Sequence, residues 1–179
     1  MTAVTDTTLT VYGGTDYTLA NAAISLNYYS HQKAPLGFPI SPAKWQQTLS
    51  STTSRSTSTP TQNTWYNAES LVIPIGVWKV NYYVMFECYD TTATDIDAQS
   101  TLSTTNNGET DTDFRASFYM TLPSGNPDIF IPASKDKFLV LAAKTTYYLN
   151  YRTTLAGIAA VAIRGDRMTT VINAVCAYL

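Results

Sequence analysis

The chain has one histidine, His31, in the stretch YYSHQKAP. An imidazole does nucleophilic chemistry when a Ser or Cys on a nucleophile turn and an orienting carboxylate converge on it. No such turn occurs, nor does a Gly-rich phosphate loop, an H-E-x-x-H or a C-x-x-C. His31 reads as a polar residue at the end of a strand, and the chain as a non-enzyme needing no cofactor. Cys88 and Cys176 lack metal-ligand spacing and are too few for a disulfide framework. Both fall inside predicted strands, where a free Cys acts as a small buried hydrophobe.

Three further groups could do chemistry by binding. Asp95, Asp97, Glu109, Asp111 and Asp113 offer hard oxygen ligands for Ca²⁺, yet they lack the Gly and terminal Glu of an EF-hand loop, so a solvated acidic loop is the preferred reading. Arg164-Gly165-Asp166 spells an adhesion tripeptide, but it lies between two predicted strands, where Gly and Asp serve a tight turn. An inter-subunit ion pair through Arg164 or Asp166 stays open. Exposed rings beside amides can stack on sugars; Trp65 and Tyr66, next to a Ser/Thr-rich stretch, are the best placed, with strand pairing as the alternative.

The elements that must carry these residues read as β throughout. IPIGVWKVNYYVMFECY places Trp78, Val80, Tyr82, Val84, Phe86 and Cys88 on one face of a strand, and Val77, Tyr83, Met85 and Tyr89 on the other with Lys79, Asn81 and Glu87. The first face is core; the second is half apolar and needs a partner. DFRASFYMTL, DIFIPA, KFLVLAA, TTYYLNYRTTL, GIAAVAIRG and RMTTVINAVCAYL are short, β-branched and aromatic, and spaced as in a sandwich or barrel. Asp90 to Asp113 is expected to be one long acidic loop.

Residues 1–62 differ in character. Met1 to about Leu19 is Thr-rich and broken by Gly13-Gly14, reading as an extended arm or as disorder; AAISLNYY, near 22–29, can form a strand. APLGFPISPAKW is punctuated by three prolines. SSTTSRSTSTPTQ, from Ser50 to Gln62, contains no large apolar residue and is expected to be a loop or linker. Residues 63–179 are then the sandwich domain, and one domain suits 179 residues.

Charged residues make up 13%, about half of the ~25% usual in soluble domains, and the formal net charge is -2. Lys and Arg are scattered, which disfavours nucleic acid as a partner. No apolar run approaches the ~18 residues of a membrane helix, and MTAVTDTTLTVYGG lacks the regions of a signal peptide. A protein made in a cytoplasm, with no membrane partner, is expected.

SLVIPIGVWKVNYYVMF resembles a pattern of the C1q and tumour-necrosis-factor-like jelly rolls: a short strand ending in Pro, a Gly turn, an aromatic and a long alternating strand. KFLVLAAKTTYYLNYR is similar to that family's strand, polar turn and aromatic strand, and TTVINAVCAYL to its closing strand. The resemblance covers roughly Trp65 to Leu179. It implies an all-β jelly-roll β-sandwich with an extended N-terminal arm, assembled as a homotrimer. Tyr83, Met85, Tyr89, Val171, Val175 and Leu179 would then form the trimer interface, with Ile172, Ala174, Cys176 and Tyr178 on the closing strand's other face, also buried. The alternative for such two-faced strands is cover within one chain, but no amphipathic helix is available for it. If the long and closing strands are antiparallel neighbours, as in the family, Cys88 pairs near Thr169, away from Cys176.

Trimeric jelly rolls of this kind occur in secreted animal proteins and in bacteriophage particles, and this chain is more similar to the phage versions. The resemblance implies a capsid decoration, cement or head-fibre protein in the virion, partnered by itself and by the major capsid protein or other virion proteins. Val11, Tyr12, Tyr17, Phe38 and Trp45 would anchor the arm to the capsid, with Leu36 and Ile40 beside them. The rival is an adhesin at a tail or head fibre, whose stretches Ser50 to Gln62 and Asp90 to Asp113 contact a host glycan.

Overall fold

A computed structural model of the protein describes residues 3–4, 9–10, 46–74, 76–91, 95–121 and 128–178. Strands β1 (Ala3–Val4) and β2 (Leu9–Thr10) pair with each other. The sandwich is built from β3 (Gln46–Ser51), β4 (Arg55–Ser58), β5 (Tyr66–Ile73), β6 (Gly76–Tyr89), β7 (Asp95–Ser103), β8 (Arg115–Thr121), β9 (Asp128–Leu141), β10 (Thr145–Arg152), β11 (Ala160–Ile163) and β12 (Thr170–Tyr178). One sheet runs β5-β10-β7-β8. In the other, β6 pairs with β9 along its whole length on one side, and on its other side with β12 and then β11 in tandem. β3 flanks β12 and β4 flanks β11.

Stripped to eight principal strands, the order is β3-β12-β6-β9 facing β5-β10-β7-β8, all antiparallel. Counted from β3, that is 1-8-3-6 over 2-7-4-5, the double Greek key of a jelly roll. The protein is an all-β jelly-roll sandwich. Among the described residues no helix is long and apolar enough to cross a membrane.

Alternation in β6 sets the core. Trp78, Val80, Tyr82, Val84, Phe86 and Cys88 are fully buried and meet Ile96, Ala98 and Leu102 of β7 and Leu149 of β10. Burying each such side chain is worth about 1.5–3 kcal/mol. The Tyr82 hydroxyl lies deep in this layer, donating toward Ser100 O (3.0 Å) and Phe114 O (3.1 Å) and accepting from Ser100 Oγ and Ala116 N (both 3.1 Å). One phenol thus ties β6 to β7 and β8 across the sandwich. Gly76 opens β6 at φ 134, a backbone conformation closed to side chains with a Cβ.

Three expectations change. Ser50 to Gln62 is not a plain linker: β4 lies in it, and β3 ends in it. Lacking apolar side chains, β4 joins the sheet through its backbone ladder to β11 and through hydroxyls, Thr57 Oγ1 lying 3.0 Å from Tyr151 OH. The sheets therefore begin by Gln46, inside the region read as irregular. Asp90 to Asp113 is interrupted by β7, which holds Ile96, Ala98 and Leu102 in the core. DIFIPA and KFLVLAA run into one strand, β9, a place open to Pro132 because among the described residues β9 has a strand partner on one side only.

Candidate association surface

The two sheets differ in how their outer faces are finished. On β5-β10-β7-β8 the segment 104–111 folds back over the strands. Buried Asn150 donates through Nδ2 to Thr105 O (2.9 Å) and Gly108 O (2.7 Å), and Asn107 Oδ1 accepts from the Asn67 N–H (2.7 Å). Glu109 pairs with Arg115 and Asp111 with Lys137, closing the strap at its far end. The Lys137 ammonium holds the Asp111 carboxyl below its usual range, and Glu109 raises the Arg115 guanidinium.

The outer face of β3-β12-β6-β9 has no such cover among the described residues. Tyr83 is 49% exposed, Tyr89 39%, Val175 42%, Phe130 37%, Phe138 60% and Val140 81%. With ~150–250 Å² for a whole aromatic, these six leave on the order of 500 Å² of largely apolar side chain open. That lies toward the top of the ~300–600 Å² of the largest patch on a typical monomer, and exceeds half of the ~800 Å² each partner gives a standard interface. Phe130 carries Arg164 and Arg167 over its ring at 5.8 and 5.3 Å.

Sequence-derived residues fall onto this face in part. Tyr83, Met85 and Tyr89 share the outer side of β6, and Val171, opposite Tyr83, and Val175, opposite Lys79, extend it onto β12. Met85 and Val171 are half-buried and the other three exposed, so in the single chain only the inner face of each strand is closed. Phe130, Phe138 and Val140 were missed; their even spacing in DIFIPASKDKFLVL would have exposed them once β9 was seen as a continuous strand. Leu179, the arm residues Val11, Tyr12, Tyr17, Phe38 and Trp45, His31 and the strand near 22–29 lie outside the described residues.

The other candidates are consumed by the fold. Asp97 is buried in β7 and accepts from Thr153 Oγ1 (2.6 Å), Thr154 N (2.9 Å), Thr154 Oγ1 (2.7 Å) and Leu155 N (3.2 Å). Asp95 accepts from Thr121, and Asp113 lies 3.7 Å from Lys137. Among the described residues no group of three or more His, Cys, Asp or Glu is placed to hold a metal. Trp65 is buried beneath Arg152, whose guanidinium stands 4.3 Å over its ring, and Tyr66 packs on Tyr151, so neither is an open sugar platform.

Arg164-Gly165-Asp166 is a clamp within one chain. Arg164 bonds Asp166 twice (2.8 and 2.7 Å) and Glu87 at 2.5 Å, and Asp166 also takes the Ser54 hydroxyl. A Cβ on Gly165 would lie 2.6 Å from Thr53 O, so glycine is what lets the 52–54 backbone approach. These partners hold the Asp166 carboxyl well below its usual range and raise the Arg164 guanidinium. The ion pair is intrachain. Cys88 faces Val161 of β11 rather than a residue near Thr169, because β11 replaces β12 beside β6 beyond Tyr83. Cys88 and Cys176 form no disulfide, and Cys176 lies opposite Trp78 with its thiol 3.5 Å from Val77 O.

No protein-family profile and no curated protein matches the chain. Among solved structures it is similar to Eiger TNF from S. frugiperda, at 15% identity over 75% of this chain and 93% of that one, TM-score 0.40. It is also similar to the VP2 subviral particle of infectious bursal disease virus, at 13% identity over 83% of this chain and 41% of that one, TM-score 0.37. The jelly-roll assignment stands on strand order rather than on these neighbours.

Proposed function

We propose that the protein is a non-enzymatic structural component of a virus particle, a homotrimeric decoration or cement protein on a phage head. The observation that carries this reading is the pair of unlike sheet faces: one partly covered by 104–111, with Val72 and Tyr119 left exposed at its two edge strands, the other open across its strands through Tyr83, Tyr89, Phe138, Val140 and Val175. Three copies meeting through the open face would bury these side chains, and the N-terminal region would reach the major capsid protein. Attachment is then mechanical, many shallow contacts at a threefold site summed by avidity.

Two measurements test it. Sedimentation equilibrium of the full chain is expected to give a trimer, and Tyr83→Glu with Val175→Glu to weaken association at least tenfold; a monomeric parent chain refutes the reading. Gold-antibody labelling of particles from the source is expected over the head, and removal of residues 1–14 to abolish attachment while sparing the trimer. Gold confined to a tail tip would favour the adhesin alternative and a host glycan as partner.

A further inference from the structure

The open face is not uniformly apolar. One cross-strand row is polar on all four strands: Asp136 of β9 faces Asn81 of β6, Asn81 faces Asn173 of β12, and Asn173 faces Thr48 of β3. From β3 to β6 the row is joined by hydrogen bonds. Asn173 Oδ1 accepts from Thr48 Oγ1 (2.8 Å) and from Gln46 Nε2 (2.9 Å), while its Nδ2 donates to Asn81 Oδ1 (3.4 Å). Lys79 stands 3.8 Å from Asp136, both more than half exposed. To one side lie Val77, Phe138, Val140 and Val175; to the other Tyr83, Met85, Pro132 and Val171. A shallow hollow of about 240 Å³, lined by Lys79, Asn81, Tyr83, Ser134, Lys135 and Asp136, opens over the row.

We propose that this polar row sets register and copy number when copies of this chain associate, an inference that rests on the homo-oligomer reading above. Apolar contact is non-directional and tolerates sliding and alternative stoichiometries, whereas a buried amide row is satisfied in one alignment; a single buried Asn fixes register and oligomer state in coiled coils in the same way. The occupant argued for is a second copy. A cation stands beside the row and an anion ends it, Lys79 and Asp136, so in a head-to-tail ring the Lys79 of one copy meets the Asp136 of the next.

The test is native mass spectrometry of the full chain and of Asn81→Val with Asn173→Val, each checked for folding by circular dichroism. The parent is expected to give one stoichiometry. The variant is expected to keep associating but to populate at least two, with no species above about two-thirds of the total. A single trimeric species in both overturns the row's role and leaves the homotrimer standing; a monomeric parent overturns both. Should the double variant fail to fold, Asn81→Asp, of equal shape, is expected to weaken association tenfold or more at neutral pH by bringing like charges together, and unchanged association overturns the proposal.

Discussion

Tyr82 and Cys88 are buried acids that the fold holds neutral. Burial pushes the phenol up to about 12, and burial followed by the nearby Asp97 and Glu87 carboxylates pushes the thiol up to about 12. A group whose folded pKa lies above its unfolded value keeps its proton longer in the native state, so stability falls as pH rises through the unfolded values, about 8.5 for Cys and 10 for Tyr. Thermal melts are therefore expected to shift down steadily above pH 9. Tyr82→Phe removes that titration but leaves Ser100 O, Phe114 O and the Ala116 N–H without their partner, and is expected to cost about 1–3 kcal/mol, several degrees of melting temperature at neutral pH. Thr59 offers the opposite case. It sits at φ 46, where a β-branched residue is strained, and it is exposed, so Thr59→Asn is expected to raise the melting temperature by roughly 1–3 °C, up to ~1 kcal/mol. Sequence reading assigned Tyr82 and Cys88 to the core face because alternation alone decides that; the φ of Thr59 depends on where its N–H must reach Ala159 O, 2.8 Å away.

At the scale of elements, polar knots hold the loops. The Asp97 carboxylate orders the connection after β10 by accepting from two hydroxyls and two backbone N–H groups. Asp97→Ala would leave these donors unpaired, and is expected to destabilise the protein by about 2–4 kcal/mol and to open 153–159 to limited proteolysis before the rest of the chain. Gly165→Ala is expected to loosen the segment joining β3 to β4, because the added Cβ meets backbone that cannot yield; hydrogen exchange at Thr52 to Ser54 would report it as faster exchange. A turn at Arg164 to Asp166 was legible from residue type. Its partners were not, since Glu87 on β6 and Ser54 in the β3–β4 connection are distant in sequence. The same limit hid β4 and β7: a strand that pairs through backbone and hydroxyls leaves no apolar period, and β7 was masked by the acidic residues on its outer side.

For the whole molecule, the unlike faces of the two sheets give the strongest expectation. If the open face is closed by sister copies, Phe138→Ser with Val140→Ser should reduce association at least tenfold while leaving the melting temperature of the dilute single chain within about 2 °C, since neither side chain is in the core; analytical ultracentrifugation and calorimetry read the two effects separately. The sequence by itself determined the all-β class, the inner face of β6 and the half-apolar character of its outer face, because strand side chains alternate with a strict period of two. The family resemblance grouped Tyr83, Met85, Tyr89, Val171, Val175 and Leu179 as one surface, and the five that are described share the outer side of β6 and β12. Tertiary structure decided the rest: that β9 adds Phe130, Phe138 and Val140 to that surface, that four polar residues from four strands fall in one row, and that 104–111 folds over the middle of one sheet while the other has no such cover among the described residues. Each of these is a matter of register and of long-range backbone pairing, which depend on where every other strand has already settled rather than on any local run of residues.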